Sequence, residues 1–524
     1  MAPFKSCTVA ARVLLAVALA VAVPAAPASA DTETRCTELP SRPPGGVRIE
    51  VAEVVRNRDD LGRFCRIAGT ISPDIRFEMR APTRDWNRRF LLSGCGGYCG
   101  ELITERKGYS NSINYALKRG YAAATTDSGH RGNAIDTTWA HNNPDLEKLF
   151  AIDWVPLAAA ASRALLERLY GRNERFSYFA GCSNGGRTAA KIAQEYPSLF
   201  DGIASGCGAF NLANAAVQGV WLDRTLVDSE GNLILRENKL PLLATAVRNR
   251  CDGLDGLVDG IVSDPFACDF DPGDLQCDIG TDEPDCLTAA EVSEVRALHD
   301  GARDSAGLRL HAGLPRGSEH YWGRWLIGPT AGGEPHVKDL GSNYLRYMGF
   351  EQDPGAAYHS RDFDLDRDIP KLAGMARLYN ATNPDLRGLQ RAGGKLLMYH
   401  GLADALVVPQ ESIDYFESVV EEFGSLVVVN AFFRLFLIPG ADHCWGVTGH
   451  APDLFDPLQV LEQWVEQGVP PDRIEASQHA QVGERIGVGP LLRTRPLCSY
   501  PQRARYTGAG NPDSAENFVC VPGS

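Results

Sequence analysis

The chain has 524 residues, of which 44% are hydrophobic, so it is long enough to bury a large core in about two or three domains. Its formal net charge is −14, from 52 basic and 66 acidic residues. Such an acidic chain is not expected to bind nucleic acid or anionic membranes, because both would repel it.

The first thirty residues are typical of a secretory signal peptide. Lys5 and Arg12 provide the positive start, residues 13–23 form an apolar run, and residues 28–30, Ala-Ser-Ala, resemble a cleavage site. The apolar run is too short to span a bilayer comfortably. We therefore expect a secreted, soluble protein in the extracellular space or the periplasm.

All but one of the fourteen cysteines follow this segment. In an exported chain most of them should form disulfides, and an odd number leaves one thiol over. Local spacing favours four disulfides: Cys36–Cys65, Cys251–Cys268, Cys277–Cys286 and Cys498–Cys520. Spacing alone does not pair the other five, which are Cys95, Cys99, Cys182, Cys207 and Cys444.

Buried strands dominate the N-terminal part of the chain. Residues 37–82 are expected to form a set of strands, with the apolar residues in 47–55 and 64–71, and another strand ends at Ser93. The glycine-rich run 94–100 follows directly, and it leaves backbone N–H groups open to an incoming oxygen. Gly96 is the favoured oxyanion donor and Gly97 the next choice; the alternative is a flexible turn.

The next segments alternate between strand and helix. Residues 120–126 predict a buried strand, and Asp127 and His130 after it are interpreted as structural groups of a loop. Residues 153–170 have the length and the alanine and leucine content of a crossover helix. Such alternation predicts a parallel sheet that is covered on both sides.

A Gly-x-Ser-x-Gly pentapeptide, residues 181–185, lies between a predicted strand at 176–179 and a predicted helix from Arg187 to Tyr196. In this context the motif predicts a nucleophile elbow, in which a tight turn lifts the Ser183 hydroxyl above the sheet. The following N–H groups lie at a helix N-terminus, where an oxyanion can be held. The alternative is a glycine-rich turn whose serine only caps the helix.

A further strand is predicted at 202–205, but the alternation then fails from about 210 to 380 and returns at 394–400. We predict an α/β protein with an α/β-hydrolase fold and a large inserted lid domain. The catalytic domain would comprise 31–209 and 381–524, and the lid 210–380. Two aromatic clusters in the lid suggest a pocket for a flat substrate, or simply lid core. The candidate substrate contacts there are Trp322, Arg324, Arg346 and Phe350.

The last part of the chain contains the strand 394–400, a strand at 427–438 and an amphipathic helix at 454–467. After Pro490 we expect an irregular tail that is fixed by Cys498 and Cys520.

The acid and the base of a serine hydrolase follow two of these late strands. An elbow fold has its catalytic residues in the chain order serine, acid, histidine, and Ser183, Asp404 and His443 have this order. His400 lies in the strand end before the acid, so it is interpreted as a supporting or pocket residue. Asp442 is adjacent to the histidine and is therefore poorly oriented to hold its ring.

Cys182 precedes Ser183, and Cys444 follows His443. A disulfide between them would fix the two Cα atoms within roughly 4.4–6.8 Å of each other, and it would make the serine and the histidine neighbours. The alternative is that both are buried thiols or pair elsewhere. We predict the disulfide.

A serine and a histidine that each adjoin a cysteine, with the acid in a Gly-x-x-Asp loop, resemble the tannase and feruloyl esterase family. This family includes the mono(hydroxyethyl) terephthalate hydrolases. The resemblance covers the glycine run 94–100, GCSNGGR at 181–187, HGLAD at 400–404 and ADHC at 441–444. It implies Ser183 as nucleophile, Asp404 as acid and His443 as base, with the N–H groups of Asn184 and Gly96 as the oxyanion hole.

The resemblance also implies a structural Ca²⁺ site in the lid, between Cys251 and Cys268. Carboxylates and carbonyls are the oxygen donors that this ion prefers, and glycines between them let the backbone wrap. The alternative is an acidic surface turn. The implied ligands are Asp252, Asp255, Leu257, Asp259 and Ile261.

Three cysteines are extra to the five disulfides that the family implies. We expect Cys95 or Cys99 to pair with Cys207, and Cys95 directly precedes Gly96, the favoured oxyanion donor. The implied function is a secreted serine esterase that cleaves feruloyl, galloyl or terephthaloyl esters, and its partner is a small aromatic ester. Alternatives are a secreted serine peptidase or acyltransferase with the same triad, and a calcium-dependent binding protein. The sequence leaves the oligomeric state open.

Overall fold

The structure is a computed structural model that describes Met1 and residues 30–523, apart from 57–59, 105–110, 329–335, 445–450 and 481–488. The predicted signal peptide therefore lies outside the described residues, except for its first and last positions.

A nine-stranded sheet forms the centre of the molecule, in the order β1-β2-β3-β5-β4-β6-β7-β8-β9. The three pairs β1-β2, β2-β3 and β3-β5 are antiparallel, and the five pairs that follow in this order are parallel. The strands are β1 Val47–Arg56, β2 Arg63–Ile71, β3 Ile75–Pro82, β4 Arg89–Ser93, β5 Ala122–Thr126, β6 Phe176–Cys182, β7 Gly202–Gly206, β8 Lys395–Gly401 and β9 Phe433–Ile438. The predicted α/β class is confirmed.

Helices cover both faces of this sheet. Successive strand residues point to opposite faces, so Phe90 packs in one core with the helices α4, α5 and α12, whereas Leu91 packs in another with α2 and α14. The helices are α1 Ala30–Glu38, α2 Asn114–Lys118, α3 Pro144–Lys148, α4 Trp154–Tyr170, α5 Asn184–Glu195, α6 Asn214–Thr225, α7 Leu240–Cys251, α8 Ala289–Asp300, α9 His336–Tyr347, α10 Ala373–Tyr379, α11 Arg387–Ala392, α12 Gln410–Phe423, α13 Leu426–Asn430 and α14 Pro457–Gln467.

One helical run among the described residues, 144–170, has the length and composition to cross a membrane. However, 67% of its apolar window is buried inside the fold. The run ends with helix α4, which covers the sheet and corresponds to the predicted crossover helix.

The segment between β7 and β8 contains no strand of the central sheet among its described residues. Its helices α6 to α8 enclose a separate hydrophobic cluster that includes Leu243, Val295 and Leu326. The same cluster includes Ala405 and Val408, from the loop after β8. The insert therefore packs directly against that loop, and its boundaries at 210 and 380 remain a prediction.

Two predictions for the C-terminal part are wrong. The single strand at 427–438 is instead helix α13 followed by β9, because Ser425 caps the helix and Val427 is 82% exposed. The tail after Pro490 is not irregular. It contributes to two antiparallel hairpins, and the last four residues of the strand 491–498 are buried. These strands are β10 Arg473–His479, β11 Leu491–Cys498, β12 Gln502–Tyr506 and β13 Phe518–Pro522.

Six disulfides are formed among the described residues. The four pairs predicted from spacing and the Cys182–Cys444 pair are confirmed. The expected pairing of Cys95 or Cys99 with Cys207 is wrong. Cys95 and Cys99 form a disulfide with each other, four positions apart in the chain. Cys207 is a buried free thiol.

Candidate active site

The nucleophile elbow is formed between β6 and α5. Ser183 has φ 63° and ψ −124°, a conformation that costs energy for any residue with a side chain. A Cβ atom on Gly181 would lie 2.7 Å from the Cα of Gly185, so the turn requires glycine there. Helix α5 begins at Asn184, three residues before the predicted start, and the N–H of Ser183 donates to the carbonyl of Gly206 at 2.9 Å.

Asn111 supports the elbow from a distant part of the chain. Its side chain is buried; Oδ1 accepts from the N–H of Cys182 at 3.0 Å, and Nδ2 donates to the carbonyl of the same residue at 3.2 Å. One amide therefore holds both backbone groups of the residue before Ser183. No sequence motif marks this residue, and the sequence analysis did not identify it.

The predicted acid and base are in contact. Asp404 follows β8, His443 follows β9, and His443 Nδ1 donates to Asp404 Oδ2 at 2.7 Å. The other carboxylate oxygen of Asp404 accepts from the N–H groups of Leu406 and Val407, at 2.9 and 2.8 Å. Burial alone would raise the pKa of Asp404, but His443 and His400 hold it well below its usual range. The acid is therefore ionised.

The disulfide brings the loop of the base to the elbow. The Cα atoms of Cys182 and Cys444 are 5.9 Å apart. Ser183 directly follows the first cysteine and His443 directly precedes the second, so each lies next to the disulfide in the chain. His443 Nε2 is buried and has no hydrogen-bond partner among the described residues, so it makes no hydrogen bond to Ser183 in this structure. Such contacts are often long in the absence of substrate.

Two rival residues have other partners. His400 is buried behind Asp404, with Nδ1 at 2.7 Å from Ser412 Oγ and Nε2 at 3.1 Å from Asp404 Oδ2. It supports the acid and does not line the cavity beside Ser183. Asp442 accepts from the indole N–H of Trp325 at 2.8 Å, and burial together with the charge of Asp404 raises its pKa to about 7.

The predicted oxyanion residues flank Ser183 from two loops. Asn184 is the first residue of α5 and lines the cavity beside Ser183. From the glycine run, Gly97 lines this cavity, whereas Gly96 accepts the N–H of Cys99 through its carbonyl. Gly97, the second choice from the sequence, thus borders the cavity, and which of the two N–H groups serves as the donor stays a prediction.

Arg187, one turn further along α5, is fully buried. Its Nε donates to Asn184 Oδ1 at 2.7 Å, and its Nη1 donates to the carbonyls of Ala151 and Tyr379. Burial lowers the pKa of Arg187 to about 10, so the side chain remains a cation at neutral pH. The guanidinium thus fixes the side chain of Asn184 and places a positive charge near the elbow.

The cavity beside Ser183 measures about 60 Å³. Its wall includes Leu212, Gln218, Leu340, Val407 and Glu411. Among the described residues the wall contains none of the predicted contacts from the lid.

The predicted contacts from the lid have partners within the insert, and their contact with a substrate stays a prediction. Trp322 is completely buried and donates to Ser318 Oγ, and Phe350 packs against Tyr358 and Phe363. Arg346 donates to the carbonyl of Tyr358 at 2.9 Å. These aromatic and charged side chains therefore make contacts within the insert.

The insert reaches the base through a different aromatic residue. The ring of Trp325 packs edge-to-face against His443, with ring centres 5.7 Å apart. The Arg324 guanidinium carbon lies over this indole, 4.2 Å from the ring centre, and Nη1 is 3.4 Å from a carboxylate oxygen of Asp442. Trp325 was not among the contacts predicted from the sequence, and Arg324 contacts the loop of the base without lining the cavity.

The predicted Ca²⁺ loop is folded around Asp252. Its carboxylate accepts from the N–H groups of Asp259, Gly260 and Ile261 at 3.0, 2.8 and 3.3 Å. Asp255 accepts from the N–H of Leu257 at 3.0 Å. The loop therefore has a defined shape, in which the predicted donors lie on one short turn.

The charge of this loop is concentrated and only partly balanced. Burial, with the charges of Asp259 and Asp252 adding to it, raises the pKa of Asp255. Asp259 forms ion pairs with Arg493 and Arg495 from β11. Carboxylate and carbonyl oxygens are suitable donors for a hard divalent cation, so the chemistry of the loop fits Ca²⁺.

The chain is similar to known esterases over most of its length. A family model described as "Tannase and feruloyl esterase" matches residues 53–521. An uncharacterized esterase from Xanthomonas campestris pv. campestris is 33% identical over 505 residues, covering 88% of this chain and 85% of the relative. Mono(2-hydroxyethyl) terephthalate hydrolase from Piscinibacter sakaiensis is 32% identical over 530 residues, with the same coverages.

A solved structure is also similar over nearly the whole chain. Feruloyl esterase B from Aspergillus oryzae aligns with a TM-score of 0.80 at 25% sequence identity, covering 94% of this chain and 100% of that one. The matched region contains the elbow, the acid and the base.

Proposed function

Because the chain belongs to the tannase and feruloyl esterase family, we propose that it is a secreted serine hydrolase that cleaves esters of aromatic acids through an acyl-enzyme. Carboxylic ester hydrolysis is the activity of the family. The observation that carries the proposal is the Cys182–Cys444 disulfide between the elbow and the loop of His443. It fixes an alcohol next to an imidazole that is already held by a buried carboxylate.

In the proposed acylation step, Ser183 Oγ attacks the ester carbonyl carbon while His443 Nε2 takes the hydroxyl proton. His443 Nδ1 keeps its hydrogen bond to Asp404, and the ionised carboxylate stabilises the imidazolium that forms. The negative charge develops on the carbonyl oxygen. The N–H groups of Asn184 and of Gly97 or Gly96 would stabilise it, in the field of the α5 N-terminus and of Arg187.

The imidazolium then returns its proton to the leaving alkoxide, which departs as the alcohol and leaves an acyl group on Ser183. In the second half, His443 Nε2 takes a proton from water while the water oxygen attacks the acyl carbon. The bond between this carbon and Ser183 Oγ then breaks, the imidazolium returns its proton to Oγ, and the carboxylic acid is released. Since His443 Nε2 has no hydrogen-bond partner among the described residues, it is free to serve as the base in both halves.

We propose further that the insert acts as a lid and that the protein works outside the cytoplasm. Trp325 of the insert packs on His443, and Leu340 and Val337 of α9 line the Ser183 cavity. Six disulfides favour an oxidising compartment.

Ca²⁺ is proposed as a structural ion in the loop between Cys251 and Cys268. Asp252, Asp255 and Asp259 would bind it, together with the carbonyls of Leu257 and Ile261. The ion would neutralise a cluster of carboxylates on a loop that packs against the C-terminal hairpins. It has no part in the ester chemistry.

The function is tested with Ser183→Ala, with Ser162→Ala as a matched control at a buried serine of α4. We expect Ser183→Ala to lose hydrolysis of methyl ferulate, methyl gallate and monomethyl terephthalate by at least about 10³-fold, at an unchanged melting temperature. Ser162→Ala should keep the activity, and a fluorophosphonate probe should label the control but not Ser183→Ala. Retained hydrolysis in Ser183→Ala would rule out this nucleophile.

A further inference from the structure

Glu411 is an acidic side chain in the wall of the Ser183 cavity to which nothing so far assigns a role. It is the second residue of α12, and it lies where this cavity meets a larger one of about 380 Å³. Among the described residues of the Ser183 cavity wall it is the only acidic one, and no arginine, lysine or histidine accompanies it. The cavity therefore contains a carboxyl group without a neutralising cation.

The Glu411 carboxyl group also lacks a complete set of hydrogen bonds. Its Oε2 is buried and has no partner in the part of the chain that the structure describes. Burial raises the pKa of Glu411 to about 8, against hydrogen bonds from the backbone of Asn211 and the side chain of Asn214 that lower it. A buried polar oxygen without a partner is costly, so a ligand group that satisfies it gains affinity.

We propose that Glu411 determines specificity by hydrogen-bonding a hydroxyl group on the ring of the bound aromatic ester. This inference rests on the proposed function. A hydroxyl can donate to the ionised carboxylate and can accept from the protonated acid, so it matches Glu411 in either state. The polar side chains of Asn211 and Gln218 line the same cavity and can bind a second ring hydroxyl.

The same geometry disfavours a ring that carries a carboxylate. No cation lies in the described cavity wall to pair with it, and the buried charge of Asp404 is close enough to raise the pKa of Glu411. A carboxylate moved from water into this site would be desolvated without compensation. Glu411 therefore selects phenolic esters over terephthalate monoesters.

The test compares kcat/KM for three methyl esters: methyl 3,4-dihydroxybenzoate, methyl benzoate and monomethyl terephthalate. For the wild type we expect the dihydroxy ester to exceed methyl benzoate by about 10-fold or more. In Glu411→Met, which has a similar length and no polar atoms, this preference should fall to about 2-fold or less. A folded Glu411→Met that keeps the full preference would overturn the assignment.

Glu411→Gln provides a second variant that keeps the shape and the hydrogen bonds of the site if Glu411→Met does not fold. Measured at about pH 9, above the pKa of about 8 of the Glu411 carboxyl group, the substitution removes a negative charge and supplies an N–H donor. The ratio of monomethyl terephthalate to dihydroxybenzoate activity should therefore rise about 10-fold at this pH. An unchanged ratio would also overturn the assignment.

The control is Ser418→Ala, two turns further along α12, which removes a polar group that lines only the neighbouring cavity and leaves every charge in place. Its ratios should equal those of the wild type. If the wild type hydrolyses none of the three esters, the proposed function fails. If it hydrolyses them and the ratios do not depend on residue 411, only the specificity assignment fails.

Discussion

Removal of the Cys182–Cys444 disulfide tests whether this link positions the base. The variant is the double substitution Cys182→Ala/Cys444→Ala. Both cysteines have to be removed. Cys207 Sγ lies 3.4 Å from the backbone nitrogen of Cys444, so Cys182→Ala alone would leave the free thiol of Cys444 next to the free thiol of Cys207. The double variant leaves Cys207 as the single free cysteine among the described residues.

The expected loss of stability follows from the length of the closed loop. The link spans 262 positions, and the loop-entropy model gives about 5 kcal/mol, an upper value, since measured losses are typically about 2–4 kcal/mol. The catalytic effect is separate. Without the link, His443 is held relative to the elbow only by its hydrogen bond to Asp404 and by packing, and a displacement of about 1 Å can cost about 10²-fold in rate. We expect kcat to fall by about that factor, with a small change in KM.

Cys36→Ala/Cys65→Ala serves as the matched control. This disulfide also has a Cα–Cα distance of 5.9 Å, but it closes 29 positions and joins α1 to β2, far from the elbow. The same model gives about 3–4 kcal/mol for it. Both variants should therefore melt earlier than the wild type, as measured by calorimetry, but only the first should lose kcat below its melting temperature. Equal kcat values in the two variants would refute the reasoning.

Two further predictions concern stability. EDTA should lower the melting temperature of the wild type and Ca²⁺ should restore it, whereas Asp255→Asn should respond to neither; a wild type unaffected by EDTA would contradict the calcium proposal. The second concerns His311, whose pKa burial lowers to about 4. Because the unfolded state binds a proton near pH 6.5 and the folded state does not, stability should decrease by up to about 3 kcal/mol from pH 6.5 to 4. In His311→Asn this decrease should be smaller by about that amount, as measured by denaturant unfolding at each pH. An equal decrease in the two proteins would contradict the prediction.

The chemical part of the site was predictable because its signals are local. The elbow needs glycines on both sides of Ser183, and a Cβ at Gly185 would lie 2.7 Å from Asn111 Oδ1. Asp404 and His443 each follow a strand whose apolar run is readable, and elbow folds fix their order. The disulfide then follows from two cysteines that each adjoin a catalytic candidate.

The supporting residues were not predictable, because packing between distant segments brings them together. Asn111 precedes the short helix α2, Trp325 comes from the insert, and Glu411 comes from α12. Each is an ordinary residue in its local sequence. The same limit applies to Trp322 and Phe350, which do not line the Ser183 cavity among the described residues, since an aromatic cluster has the same pattern whether it lines a pocket or fills a core.

Ser183 itself shows why so many of these residues surround one turn. Its backbone conformation costs about 1–3 kcal/mol, so it persists only where the surrounding structure fixes it. Asn111 holds the residue before it, Gly206 accepts its N–H, and Arg187 holds the residue after it. These contacts are independent of the base. The elbow should therefore keep its shape when the disulfide is removed, and the loss of kcat would then measure the displacement of His443 and not of the nucleophile.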